Sequence, residues 1–548
     1  MRWGKYVLPS IILLVLIMFI VYPTLTVAIR SLTSKGQPGL ANYVKVFTEP
    51  YLRRLISNSV PVSIASASLS TLLGLMIALV VFKTDLPGRK IFGFAAILPM
   101  VIPGFANTLA YIFLFGRNGL ITYKWLNLTW DVYSWRSVLI LQTLGLSTTF
   151  LLISSVLIGV DSRVEDAARN LGASEWEVLT SVTLPLIRPA LISAALLAFL
   201  RSMADFSTPY IVGGSFNTLA TASYTQLIGT YNMEMASTLS MILLLICVFV
   251  FWLYTRAQAA SDKVRTETEQ GKPKVLHLGR LVKGTMWTIS LLYASIIFML
   301  LISVFLSAFT KHLGGNFALT LEHFAILPQR GWNSTRNTLV FATVTSAVVS
   351  LSGIVVAYLL TRVEFKGKGV LDLLATLPYA IPGTFMGIGY ALTFSHAPLV
   401  MSGTWAIVVA CTVIRELPMG VRAGVSVLMQ QDRSIEDAAA NLGASKLRAF
   451  RDIIIPAARP ALVVTALYAF IATVKTLGAI IFLITPGNKV LSADVFEAAV
   501  RGEVGDASAF SIIVILVAAM GMLVIAAINS REAAQEWIHK TVASVGAD

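Results

Sequence analysis

Charge is the scarcest ingredient of this sequence. Asp, Glu, Lys and Arg make up 13% of its 548 residues, whereas 56% are hydrophobic. A soluble domain carries about 25% charged residues, so this chain cannot cover a water-facing surface of its own size. Cysteine is almost missing as well. Cys247 and Cys411 both sit inside apolar blocks, which excludes a disulfide framework and a thiolate metal cluster and leaves them as packing residues. The five histidines show no His-x-x-x-His spacing. His312, His323 and His396 read as ordinary loop residues, and no metal site is expected. No Gly-x-x-x-x-Gly-Lys-Ser/Thr phosphate loop occurs. No Ser/His/Asp, Cys/His or paired-carboxylate set converges on one element, so no catalytic residue is expected.

What is abundant is uninterrupted apolar sequence. Residues 6–29, 137–160 and 235–255 contain no charge. A helix crosses the hydrocarbon core with about 20 residues rising about 1.5 Å each, and in lipid the backbone must satisfy its own hydrogen bonds. The pattern predicts an all-α membrane protein of about twelve spans. The first six are 6–29, 58–82, 91–115, 137–160, 187–210 and 235–255. The second six are 285–309, 337–361, 370–395, 402–421, 460–484 and 508–529. The fifth, tenth and eleventh carry internal charge. Arg2 and Lys5 precede the first block, but its apolar run exceeds the roughly 7–15 residues of a signal core, so a retained helix is expected.

Residues 256–284 are polar and poor in large apolar side chains and read as a solvated linker. They separate a first half, 1–255, from a second, 285–548. The net charge is +14, yet no basic, aromatic-interleaved patch suited to nucleic acid is present. Basic residues lie mostly in loops, with about a two-to-one bias toward the side that would hold both termini and the linker. That side is expected to be cytoplasmic.

Sliding the chain over itself exposes a repeat. EDAARNLGASEWEVLTSVTLPLIRPAL from Glu165 matches EDAAANLGASKLRAFRDIIIPAARPAL from Glu436, with about 14 of 27 positions identical. LPMVIPG from Leu98 pairs with LPYAIPG from Leu377, and Asn58-Ser-Val with Asn337-Thr-Leu. Two parallel halves of about six spans follow, a known transporter plan. The repeated segment falls between spans four and five of each half. Ser162 precedes Glu165, and Ser434 precedes Asp437, at capping-box spacing. Gly172 and Gly443 suit helix stops, and Pro185, Pro189, Pro456 and Pro460 are placed to turn the chain back into the membrane. A helix–turn–helix on the cytoplasmic face is predicted twice.

The pattern Glu-x-Ala-Ala, then Gly, then apolar-x-apolar-Pro resembles the EAA loop of bacterial ABC importer permeases. It is carried by Glu165, Ala167, Ala168, Gly172, Val182, Leu184 and Pro185, and by Glu436, Ala438, Ala439, Gly443, Ile453, Ile455 and Pro456. Asp166 and Asp437 stand where alanine is common, and Ile455 replaces a leucine. The resemblance implies a type I importer-like fold and no enzymatic activity in this chain. It implies that each loop docks on one of two copies of an ATPase subunit, which supply ATP and Mg. The glutamates would meet basic groups there, while the alanines and Leu171 or Leu442 fill an apolar groove. With LPMVIPG, ADFSTPYIVGG and RELPMGVRAGVSVLMQQDRSIEDAA, the fused layout looks most like the ferric-iron importer permeases of the bacterial inner membrane. Their partner is a periplasmic or lipid-anchored iron-binding protein. Permeases for thiamine, polyamines, aminoethylphosphonate or sugar phosphates share the plan.

Arg201, Asp205, Arg415, Glu416 and Lys475 fall within spans, where charge is costly and marks function by default. They either line a central pathway or pair structurally, Arg201 with Asp205 four residues on and Arg415 with Glu416 beside it. Prolines 99, 103, 378 and 382 should break the third span of each half, as a gate or to shape packing. A parallel-repeat secondary transporter is the competing reading, but it needs buried acidic residues that are scarce here. A membrane-embedded enzyme or receptor needs clustered polar residues or a large soluble domain, and the sequence offers neither.

Overall fold

The computed structural model describes residues 4–117, 119–129, 131–266, 275–312 and 316–545. The apolar blocks form the helices that lipid demands. In the first half these are α1 (Tyr6–Ser31), α2 (Pro50–Lys83), α3 (Arg89–Met100 and Gly104–Trp125), α4 (Trp135–Ile158), α5 (Glu175–Ala204) and α6 (Met233–Thr266). In the second they are α7 (Arg280–Phe309), α8 (Glu322–Arg362), α9 (Lys368–Tyr379 and Gly383–Thr393), α10 (Trp405–Gln430), α11 (Lys446–Ala457 and Arg459–Lys475) and α12 (Val504–Val545). Among the described residues eight helices are long and apolar enough to cross a membrane, or eleven if each of three bent pairs counts once. α10 has the length for a twelfth, with 26 residues, and carries Arg415, Glu416 and Arg422.

The prolines act as the repeat suggests in α3 and α9, whose limbs diverge by 112° and 109°. They do not act alike at the two later sites. α11 bends by 71°, whereas Glu175–Ala204 runs on through Pro185 and Pro189 without a sharp bend. Both copies carry a widened turn just before the first of these prolines, Val178–Thr183 and Phe450–Ile454, so that turn is not what separates them.

Small residues set how closely the helices approach. Gly353 of α8 faces Gly420 of α10 so tightly that a Cβ on Gly353 would stand 2.6 Å from the Gly420 carbonyl carbon. Its repeat counterpart Gly74 faces the α4 backbone at Phe150. Each half's first helix lies on the other half. α1 packs on α9, where the Tyr390 hydroxyl donates to the Phe19 carbonyl at 2.9 Å. α7 packs on α2 and α3, and the Tyr293 hydroxyl donates to the Leu144 carbonyl at 3.0 Å. A two-stranded antiparallel hairpin follows each of these helices, Thr33–Ser34 with Gln37–Pro38 and Thr310–His312 with Asn316–Leu319.

Part of the 256–284 segment is structured. α6 continues to Thr266, the segment from 275 packs on the first half, and residues 267–274 lie outside the described residues. Leu276 is buried and donates its N–H to the Lys83 carbonyl at 2.8 Å. This face, at the ends of α2 and α6, also carries both repeated loops and is called the linker face below.

Candidate functional site

Each repeated loop is a short helix, a glycine stop and a second helix. In the first, Asp161 caps the helix Ser162–Asn170 by accepting the Arg163 N–H at 2.8 Å. Ser162 does not form the expected box with Glu165, because that glutamate is drawn inward. Its carboxylate takes both hydrogen bonds of Lys83 Nζ, at 2.7 and 2.9 Å, and one from the Thr183 hydroxyl at 2.8 Å. Both side chains of the ion pair are 0% exposed. A capping box does form at the start of the second helix, between Ser174 and Glu177. Gly172 occupies the left-handed region at φ 92°, where other residues are strained.

The second loop repeats the design with different atoms. The Asp432 carboxylate accepts the Ser434 N–H at 2.9 Å, so the box between Ser434 and Asp437 is not made. That hydrogen bond holds the Asp432 carboxyl below its ordinary range. Gly443 stops the helix at φ 83°. Arg362 Nε donates to Glu436 at 2.7 Å, and its other arm donates to the Leu428 and Gln431 carbonyls, each at 2.9 Å. Lys83 ends α2 and Arg362 ends α8, so in both halves a base at the tip of the second span holds the loop glutamate.

The glutamates therefore turn toward the bundle, each onto a base at the end of α2 or α8. What faces outward is apolar. Leu171 and Leu442 are 89% and 90% exposed. Val164 and Trp176 in one loop, and Ile435 and Leu447 at the matching positions of the other, are exposed too. Sequence reasoning singled out the leucines and missed the flanking pairs, although the register of the repeat aligns them. Ala167 and Ala438 are exposed, Ala168 and Ala439 half-buried, and Pro185 and Pro456 exposed at the second helices. An exposed apolar patch that the fold could have buried marks an interface.

The charges within the spans gather where the halves meet. Lys475 Nζ of the second half donates to the Met100 carbonyl, freed by the break in α3 of the first. It also lies within electrostatic reach of Glu416 and Arg201. Arg201 and Asp205 do not pair directly, because α5 ends at Ala204. Arg201 donates to the Gln142 carbonyl at 3.0 Å, while Asp205 accepts from the Thr208 N–H at 3.2 Å and Gln142 Nε2 at 3.3 Å. Arg415 and Glu416 form the expected adjacent pair at 3.6 Å. Beyond this layer, away from the linker face, Phe206 packs at a tilt across the halves on Phe496 with ring centres 5.7 Å apart, and Tyr224 meets Phe482 edge-on at 5.6 Å.

His323 is no ordinary loop residue. Its ring nitrogens stand 2.8 Å from an Asp506 carboxylate oxygen and 3.1 Å from the Thr310 carbonyl, tying the start of α8 to α12. The described residues hold no group of three His, Cys, Asp or Glu placed to bind a metal.

Comparison with known proteins agrees with this geometry. The Ferric transport system permease protein FbpB of Actinobacillus pleuropneumoniae is 31% identical over 540 residues, 94% of this chain and 77% of that one. The Putative ferric transport system permease protein FbpB 1 of Haemophilus influenzae is 32% identical over 515 residues, 89% of this chain and 80% of that one. The Molybdenum transport system permease protein ModB of Escherichia coli is 31% identical over 188 residues, 33% of this chain and 81% of that one. Residues 70–260 and 349–541 each match the family described as "Binding-protein-dependent transport system inner membrane component". Both stretches contain one glutamate-locked loop, and the chain belongs to that family, carrying its unit twice in one multi-pass inner-membrane protein.

Proposed function

We propose that this chain supplies both membrane halves of an ATP-driven importer for ferric iron. An extracytoplasmic binding protein delivers the cargo, and two copies of an ATPase drive it. The linker face is then cytoplasmic, with both termini on that side, in keeping with its excess of basic residues. The observation that carries the reading is the pair of loops, each presenting three apolar side chains outward while its glutamate grips the end of α2 or α8. Closure of an ATPase dimer would draw the two loops together, and the buried ion pairs would pass that motion to α2 and α8 as rigid bodies. α2 packs on α4 and α5, and α8 on α10 and α11, so each half turns as a unit and access alternates. ATP and Mg belong to the partner. The likeness to ferric transport permeases over most of the chain supports iron as cargo. Thiamine, polyamines, aminoethylphosphonate or sugar phosphates are the cargoes of the alternative reading.

The test is reconstitution of this chain with its ATPase and binding protein in proteoliposomes. ATP-dependent uptake of radiolabelled ferric iron is expected, and it should vanish when Leu171→Asp and Leu442→Asp are combined. An ATPase that still co-purifies with that double variant sinks the docking assignment. Uptake driven by an ion gradient without ATP would favour the secondary transporter instead.

A further inference from the structure

The layer of charge between the halves is unbalanced. Arg201, Arg415 and Lys475 supply three cations, and Asp205 and Glu416 two carboxylates. Among the described residues, neither Arg201 nor Lys475 has a carboxylate within ion-pairing distance, and each donates to a backbone carbonyl instead. Asp205 is occupied by neutral donors, Thr208 N–H, the Ser207 hydroxyl and Gln142 Nε2. The layer lies deep. Met100 stands about 17 Å along its helix from Arg89, and Arg415 about 15 Å from Trp405. Yet Arg201 is exposed, and the Arg415 side chain keeps 35% of its surface accessible. Charges at this depth face a water-filled space or a partner, not lipid. Contacts from both halves converge on them, which places that space between the halves. On the far side from the linker face the aromatic cluster of Phe206, Tyr210, Tyr224, Phe482 and Phe496 closes it. A solute released past those rings meets the cationic layer next.

We infer that the cargo crosses this chain as an anion, in an oxygen-rich ferric complex of net negative charge and not as a bare ferric ion. The inference rests on the importer reading. Coulomb energy scales with the product of the charges, so a trivalent cation is repelled three times as strongly by each fixed cation as a monovalent one. The two carboxylates cannot chelate it, since one caps a helix end and the other is held beside Arg415. An anionic complex inverts every one of these terms. Arg201 and Arg415 offer planar forks that suit carboxylate or phosphate oxygens. Lys475 offers a mobile point charge, released from the Met100 carbonyl when the halves move.

The experiment uses the whole importer in proteoliposomes with doubly labelled ferric citrate, ferric phosphate and iron-free phosphate, and follows a potential-sensitive dye. Labelled anion should enter with iron, and net negative charge should move with the cargo. Lys475→Gln and Arg415→Gln should each lower uptake about tenfold, while Arg415→Lys, which keeps the charge and loses the fork, should lower it less. Variants are compared only where the purified complex retains its ATPase. Iron entering alone with positive charge overturns the inference and leaves the iron importer standing. Iron-free phosphate entering with ATP, and no iron, leaves the anionic route standing and removes iron as cargo. Uptake of neither, in a complex whose ATPase responds to its binding protein, overturns both.

Discussion

Lys83 and Glu165 meet where no water reaches either side chain, and this makes their bond obligatory, since a carboxylate left alone in such a site keeps its full desolvation penalty. Lys83→Met should therefore cost about 3–5 kcal/mol, read as a lowered midpoint of thermal unfolding in detergent. Pairing it with Glu165→Leu should recover most of the loss, because replacing a buried ion pair with apolar groups is often neutral. If the double variant is as unstable as the single one, the pair does not act as argued. Arg362→Met should cost less, since the Glu436 side chain is 17% exposed and retains some water. Leu171 and Leu442 lie at the other extreme. With about nine-tenths of their surface open, changing either to Asp should move stability by less than about 0.5 kcal/mol while weakening ATPase binding, as a pull-down would show. The family resemblance pointed to Glu165, Glu436, Leu171 and Leu442 as coupling positions. It could not show that the glutamates turn in and the leucines turn out, because that choice depends on a base 82 residues away in the chain.

The two loops share a design but not a stiffness. In the first, Arg169 clasps both helices, donating to Glu175 at 3.0 and 3.2 Å and to Asp166 at 3.0 Å. The matching positions of the second loop are Ala440 and Lys446, which cannot repeat the clasp. Amide hydrogen exchange at neutral pH should thus be slower in 162–178 than in 433–449, and equal rates would show that the clasp adds nothing. The Arg169 hydrogen bond also holds the Glu175 carboxyl below its ordinary range. A depressed carboxyl stabilises the fold at pH values above the ordinary value, about 4.3. That contribution fades as pH falls through the lowered value. Protection of the first loop, corrected for intrinsic rates, should hold from pH 7 to about 5 and drop only below about 4. The repeat made the existence of both helices legible, with their glycine stops. The capping box of the first loop forms at its second helix and not its first. Asp161 caps the first helix through the Arg163 N–H, and Lys83 holds the Glu165 carboxylate that the box would have used. In the second loop Asp432 takes the Ser434 N–H.

At the scale of the whole molecule, the halves are interleaved, each holding the other's first helix. Such a pair does not separate, so motion must be a rocking of one half against the other about a shared seam. The seam is closed away from the linker face by Phe206 against Phe496. Joining Phe206→Cys to Phe496→Cys with a short thiol cross-linker should stop transport while ATP hydrolysis continues. Undiminished uptake in the cross-linked protein would place the moving surfaces elsewhere. The native cysteines, both buried, leave that chemistry largely to the engineered pair.

Hydropathy and internal repetition were enough to determine a helical membrane protein with two like halves and two like loops. The reason is that a bilayer leaves the backbone no alternative to the helix, and a repeated sequence has no alternative to a repeated fold. The tertiary structure alone decided which groups meet. Lys475 reaches the Met100 carbonyl across 375 residues, and Tyr390 reaches Phe19 across 371. Such pairings are set by where packed helices happen to bring a freed carbonyl beside a charge, and no local pattern in the chain records that.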